Sequence, residues 1–101
     1  RQGSPYFGEH ITINLNSNNN ELLYIPEGFA HGFLALSEVA EVQYKARGFW
    51  NQTCERAIVW NDPELAIAWP LDQLDGAVVN LCSKDAGAPN FAASKSQGDV
   101  F

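Results

Sequence analysis

The chain has 101 residues, 46% of them hydrophobic and 12% aromatic, and carries six Lys and Arg against twelve Asp and Glu for a net charge of −6. That length supports one compact domain, near the size where core burial only just offsets chain entropy. With no basic stripe to displace counterions, nucleic acid is excluded as a partner. There is no apolar run long enough to span a bilayer and no charged-then-apolar leader, so the expectation is a soluble, cytoplasmic chain without a membrane partner.

Taken in order, the first regular pattern is "HITINLN", where Ile11, Ile13 and Leu15 alternate with Thr12, Asn14 and Asn16. That period of two predicts a half-buried strand, with His10 on its polar face. "ELLYI" (21–25), "AHGFLAL" (30–36), "VAEVQYKA" (39–46) and "ERAIVW" (55–60) predict further short strands, separated by the turn-rich stretches "NSNNN", "PEG", "SE" and "GFWNQT". Regular spacing of this kind suggests a sandwich or barrel. From about residue 61 the character changes, because Asp62-Pro63 and Trp69-Pro70 restrict the backbone to turns and extended segments. "LCSKDAGAPN" reads as a loop, and the final "FAASKSQGDVF" has room for one helical turn. No internal repeat is visible.

Cys54 and Cys82 are too few for a disulfide framework and lack the spacing of a zinc site, which predicts two inert thiols. There is no methionine, and the expectation is that further residues precede these.

Within "IPEGFAHGFLAL" His31 shares a strand face with Phe33 and Ala35, and on the next segment Val42, Tyr44 and Ala46 share another. Paired through "SE" as a hairpin, the two faces would direct an imidazole and a phenol into one interior. By residue type alone three readings stay open for His31: a hydrogen-bonded core residue, a metal ligand, or a pocket residue. The metal reading is the weakest, since the chain holds only His10 and His31. Asp85, in "SKDAGAP", reads on its own as a turn former and Glu55 as a solvated strand-edge charge. "NQT" at 51–53 fits a glycosylation acceptor by chance, and Phe49 with Trp50 is either a stacking surface or a hydrophobic corner.

The order of the motifs adds what single residues do not. "GSPYFG", "YIPEGFAHGFLALSEVAEVQYKA", "WNDPELAIAWP" and "SKDAGAP", covering residue 1 to about 90, together resemble the dTDP-4-dehydrorhamnose 3,5-epimerase family. The resemblance implies an all-β, cupin-type jelly roll, a single domain over residues 1–101 without the family's N-terminal strands, and a homodimer. The family's "RGLH" motif, which supplies its catalytic histidine, has no counterpart here. Carried over, the resemblance implies that Tyr44 is the proton donor and that Asp85 orients the family's catalytic histidine. It also implies that His31 binds the sugar, that Glu55 and Lys84 contact the nucleotide sugar, and that Trp50 stands where family members often stack a tyrosine on thymine. The implied reaction is inversion at C3 and C5 of dTDP-4-dehydro-6-deoxyglucose in dTDP-rhamnose biosynthesis. A 4-keto group acidifies the neighbouring C–H bonds, and a base on one face with an acid on the other completes the inversion. That chemistry calls for no redox cofactor and no metal. Two rivals stand beside it: a truncated, non-catalytic cupin module that binds a nucleotide sugar or mediates dimerisation, and a metal-dependent cupin.

Overall fold

Residues 1–100 are described by a computed structural model. The expected turns form where the sequence puts them: turns at residues 17–20 and 27–28 and bends at 37–38 and 47–48. Asn16 accepts from the Asn18 N–H at 2.9 Å, and the Ser37 hydroxyl donates to the Val39 carbonyl at 2.8 Å, both local closures of the kind these residue types favour. Asn20 (φ 51°) and Gly28 (φ 92°) take the left-handed conformation that reverses the chain. An open cleft of about 290 Å³ is lined by Ile13, Leu15, Glu21, Leu22 and Leu23, so the segments 11–16 and 21–25 border one space.

What does not form is the sheet. The all-β, cupin-type jelly roll is overturned: the described residues contain no strand. Alternation decides which side chains share a face, whereas a strand also needs a row of N–H and C=O groups paired with a neighbour. Among the described residues, 10–50 make no backbone–backbone hydrogen bond at all. The apolar faces consequently lie open, as at Leu22, 97% exposed, and at Ile11, Tyr24 and Val39. The radius of gyration, 14.8 Å, exceeds the value of about 13 Å expected of a packed domain of this length.

The regular elements lie in the second half. Two 3₁₀ segments, Gln52–Cys54 and Leu71–Leu74, precede two helices, α1 (Ser83–Ala86) and α2 (Phe91–Gln97). α1 is a single turn inside the stretch expected to be a loop, closed by the Ala86 N–H on the Cys82 carbonyl at 3.0 Å. α2 answers the expectation of a helical turn near the C-terminus and is longer than that. Asn90 caps it, accepting from the Ala93 N–H at 2.8 Å, and Gly98 (φ 72°) ends it. At that end the Asp99 N–H reaches the Ser94 carbonyl and the Gly98 N–H the Lys95 carbonyl, the Schellman arrangement.

The small core gathers around α2. Phe91, 5% exposed, is the one buried hydrophobic residue among those described. Phe7 packs on it at 5.3 Å between ring centroids, and the Lys95 ammonium sits 4.6 Å above the ring. Lys95 also pairs with Glu64. Asp62 is buried beside it and spends both carboxylate oxygens on the backbone. Oδ1 accepts from the Glu64 and Leu65 N–H groups at 2.9 and 2.8 Å, and Oδ2 accepts from the Phe91 N–H at 2.8 Å. One carboxylate thus closes the turn after "WND" and satisfies an orphan donor at the start of α2. The Val59 N–H donates to the Pro89 carbonyl at 2.8 Å, completing the seam between 59–65 and α2. Among the described residues no helix is long and apolar enough to cross a membrane.

Candidate functional site

Six residues carry the functional expectation, and the structure brings five of them together in two groups. The first is His31 with Tyr44, whose ring centroids lie 5.9 Å apart at 49°. Bending the chain at "SE" does bring them together, and farther from the bend Arg47 approaches Glu27 at 4.0 Å. The expected enclosed interior is missing, however. Tyr44 is 61% exposed and His31 is exposed beside it, because no sheet folds over them.

The second group is Trp50, Glu55 and Lys84. The Trp50 indole N–H donates to Glu55 Oε1 at 2.7 Å, and Lys84 Nζ donates to Glu55 Oε2 at 3.3 Å across 29 residues of sequence. Glu55 is held below the ordinary carboxylate range, first by the Trp50 hydrogen bond and then by Lys84, with desolvation opposing. The Gln52–Cys54 segment places these side chains: Asn51 Oδ1 accepts from the Thr53 N–H at 3.1 Å and from the Thr53 hydroxyl at 2.9 Å, and the Glu55 N–H returns to the Gln52 carbonyl at 3.2 Å. α1 presents Lys84, and Asp85 follows it there, exposed. Among the described residues no hydrogen bond or ion pair joins this group to His31 and Tyr44.

The arrangement suits an anionic, ring-bearing ligand. Glu55 grips the indole by its edge, which leaves the ring faces for stacking. Lys84 has three donors and gives one to Glu55, keeping two for phosphate oxygens. An open concavity of about 390 Å³ beside Trp60 and Trp69 offers less. The Asp62 oxygens at its rim are spent on backbone, and the Trp69 indole N–H is spent on the Trp60 carbonyl at 2.7 Å.

Sequence reasoning passed over Asp62, read only as part of a backbone-restricting Asp-Pro, and Arg56 altogether. For Asp62 a signal existed, since Asp before Pro followed by a polar residue favours a side-chain-closed turn. For Arg56, whose partner Asp99 lies 43 residues on, no local signal existed.

Comparison with known proteins gives the family. The family model described as dTDP-4-dehydrorhamnose 3,5-epimerase matches residues 1–93. The chain belongs to the dTDP-4-dehydrorhamnose 3,5-epimerase family. It is similar to the dTDP-4-dehydrorhamnose 3,5-epimerase of Salmonella typhimurium, 47% identical over 88% of this chain and 46% of that protein. The protein of that name from Pseudomonas aeruginosa is 55% identical over 70% of this chain and 39% of its own length. The one from Mycobacterium tuberculosis is 40% identical over 97% of this chain and 48% of its own. The chain therefore spans about half the length of the curated family members it matches. No solved structure matches it.

Proposed function

We propose that this family member serves the epimerisation of dTDP-4-dehydro-6-deoxyglucose at C3 and C5, in deoxysugar biosynthesis in the cytoplasm, and that the working species is a homodimer. The observation that supports the reading is the Trp50–Glu55–Lys84 cluster, in which three residues that the motif resemblance implies for the nucleotide sugar are joined by hydrogen bonds.

In this reading Trp50 stacks on the thymine ring, Lys84 neutralises phosphate oxygen, and Glu55 holds both in register. The 4-keto group makes the C3 and C5 hydrogens acidic. After a base removes one, an enolate forms, and a proton returned from the opposite face inverts the centre. Tyr44 is the acid that returns it, and His31, 5.9 Å away between ring centroids, hydrogen-bonds the sugar beside the developing oxyanion. Asp85 orients the basic histidine, whose "RGLH" motif does not occur in residues 1–101. The exposure of His31 and Tyr44 favours a second reading, a non-catalytic module that binds a nucleotide sugar or mediates dimerisation.

Incubating the protein with the keto sugar in heavy water separates the two. Deuterium entering at C3 and C5, and falling at least tenfold in Tyr44→Phe, is the outcome for the enzyme. Binding with no exchange is the outcome for the module. Exchange undiminished in Tyr44→Phe would remove the acid role.

A further inference from the structure

Arg56 sits at the junction between the nucleotide-sugar cluster and the packed half of the chain. Its Nη1 donates to the Thr53 carbonyl at 3.0 Å and to the Glu55 carbonyl at 2.9 Å, and its Nε donates to Asp99 Oδ1 at 2.6 Å. One planar guanidinium thereby ties the end of the Gln52–Cys54 segment to the residue that follows the Gly98 cap of α2. The Glu55 backbone is fastened on both sides, its N–H on the Gln52 carbonyl and its C=O on Arg56. Asp99 is fastened in turn, because its N–H closes the Schellman arrangement on Ser94. A continuous path runs from Asp62 on the Phe91 N–H, through α2, to Asp99, Arg56 and the carboxylate that grips Trp50 and Lys84.

We infer that Arg56, anchored by Asp99, is a positioning residue that sets the Glu55 carboxylate and through it the Trp50 indole and the Lys84 ammonium for a thymidine diphosphate moiety. The inference rests on the nucleotide-sugar reading of that cluster. Both members of the Arg56–Asp99 pair keep water contact, and ion pairs so placed add little stability. The two carbonyl bonds would be redundant for stability alone, since the Gln52–Cys54 segment already closes on itself through Asn51 and Gln52. What the guanidinium adds is direction. A lysine could serve Asp99 or a carbonyl but could not span all three acceptors in one plane.

The test uses the indole N–H signals in a ¹H–¹⁵N spectrum together with thymidine diphosphate titration. In Arg56→Ala the Trp50 indole signal is expected to move towards its position in Glu55→Ala, while the Trp69 signal, set by the Trp60 carbonyl, stays in place. Affinity for thymidine diphosphate is expected to fall about tenfold, the size of one charge-assisted contact. Arg56→Lys should recover only part of both effects, and Asp99→Asn should produce smaller shifts in the same direction. Should Arg56→Ala fail to fold, the lysine and asparagine variants carry the test. A Trp50 signal that stays put in all three variants would overturn the positioning role. If Trp50 moves as expected but Glu55→Ala leaves thymidine diphosphate affinity unchanged, the positioning of Trp50 stands and the nucleotide reading fails. If Glu55→Ala abolishes binding and the Arg56 variants do not weaken it, the nucleotide reading stands and this inference fails.

Discussion

Residues 10–50 and residues 55–100 are built from similarly apolar sequence and end up unlike each other. The first stretch has the cleaner alternation yet makes no backbone–backbone hydrogen bond and leaves Leu22 almost wholly exposed. The second has little periodicity and holds the buried residues Asp62, Phe91 and Ser94. The difference is in where the partners lie. A helix carries its own hydrogen-bond partners four residues away and needs only caps, which Asn90 and Gly98 supply. A strand must find a separate row of partners, and its pattern of faces is silent about whether that row exists.

The comparison can be broken first at Phe91. Phe91→Ala removes the ring on which Phe7 and Lys95 pack and is expected to cost roughly 3–5 kcal/mol, measured by urea denaturation. A loss under about 1 kcal/mol would mean that the core lies elsewhere.

Asp62 comes next. Removing it in Asp62→Ala strands three backbone donors and should cost about 3 kcal/mol, with the Phe91 amide losing its protection from hydrogen exchange. The pH dependence has a definite sign. The Phe91 N–H, aided by those of Leu65 and Glu64, holds the folded carboxyl below its ordinary value, against the opposing pull of desolvation. The unfolded chain therefore takes up the proton first, near pH 4. The contribution of Asp62 is full above that pH and is lost as pH falls through the lower, folded value. Asp62→Asn should flatten this acid limb of the stability curve, and a limb that is unchanged would show that other carboxylates set it.

On the other side of the comparison, Leu22→Ser should alter stability by no more than about 0.5 kcal/mol, because the side chain is already in water. A loss of 2 kcal/mol or so would show that 21–25 is covered in solution. A change of opposite sign belongs to Ser94, whose buried hydroxyl has no hydrogen-bond partner. Ser94→Ala should be neutral or stabilising by under about 1 kcal/mol in the same denaturation experiment.

How much was legible varies with the distance over which each signal acts. The turns at "NSNNN" and "SE" were readable because their residues close on neighbours two positions away, and that at "PEG" because Gly28 takes the left-handed conformation. The helical turn in "FAASKSQGDVF" was readable as well, though its length was set by the capping Asn90 and by Asp62. α1 escaped notice, since four residues are too few for a periodic pattern. His31 and Tyr44 could be paired by counting outward from the "SE" bend, but their exposure could not be counted. The jelly roll was an extrapolation from alternation and family likeness, and it failed at the pairing step. Asp85 and Lys84 were carried over as neighbours in a motif. That Lys84 would meet Glu55, which itself holds Trp50, was not visible in any window of sequence.

The sequence by itself determined the family, through four motifs in order, together with the faces of the alternating segments, the turns between them and the caps of α2. Each of these is written within a few consecutive residues, where chain connectivity already keeps the interacting groups close. Only the tertiary structure decided that Asp62 would reach Phe91, that Glu55 would join Trp50 to Lys84, and that Arg56 would lean on Asp99. Two of those contacts span 29 residues and one spans 43, and each depends on the path of everything between, which no local preference specifies.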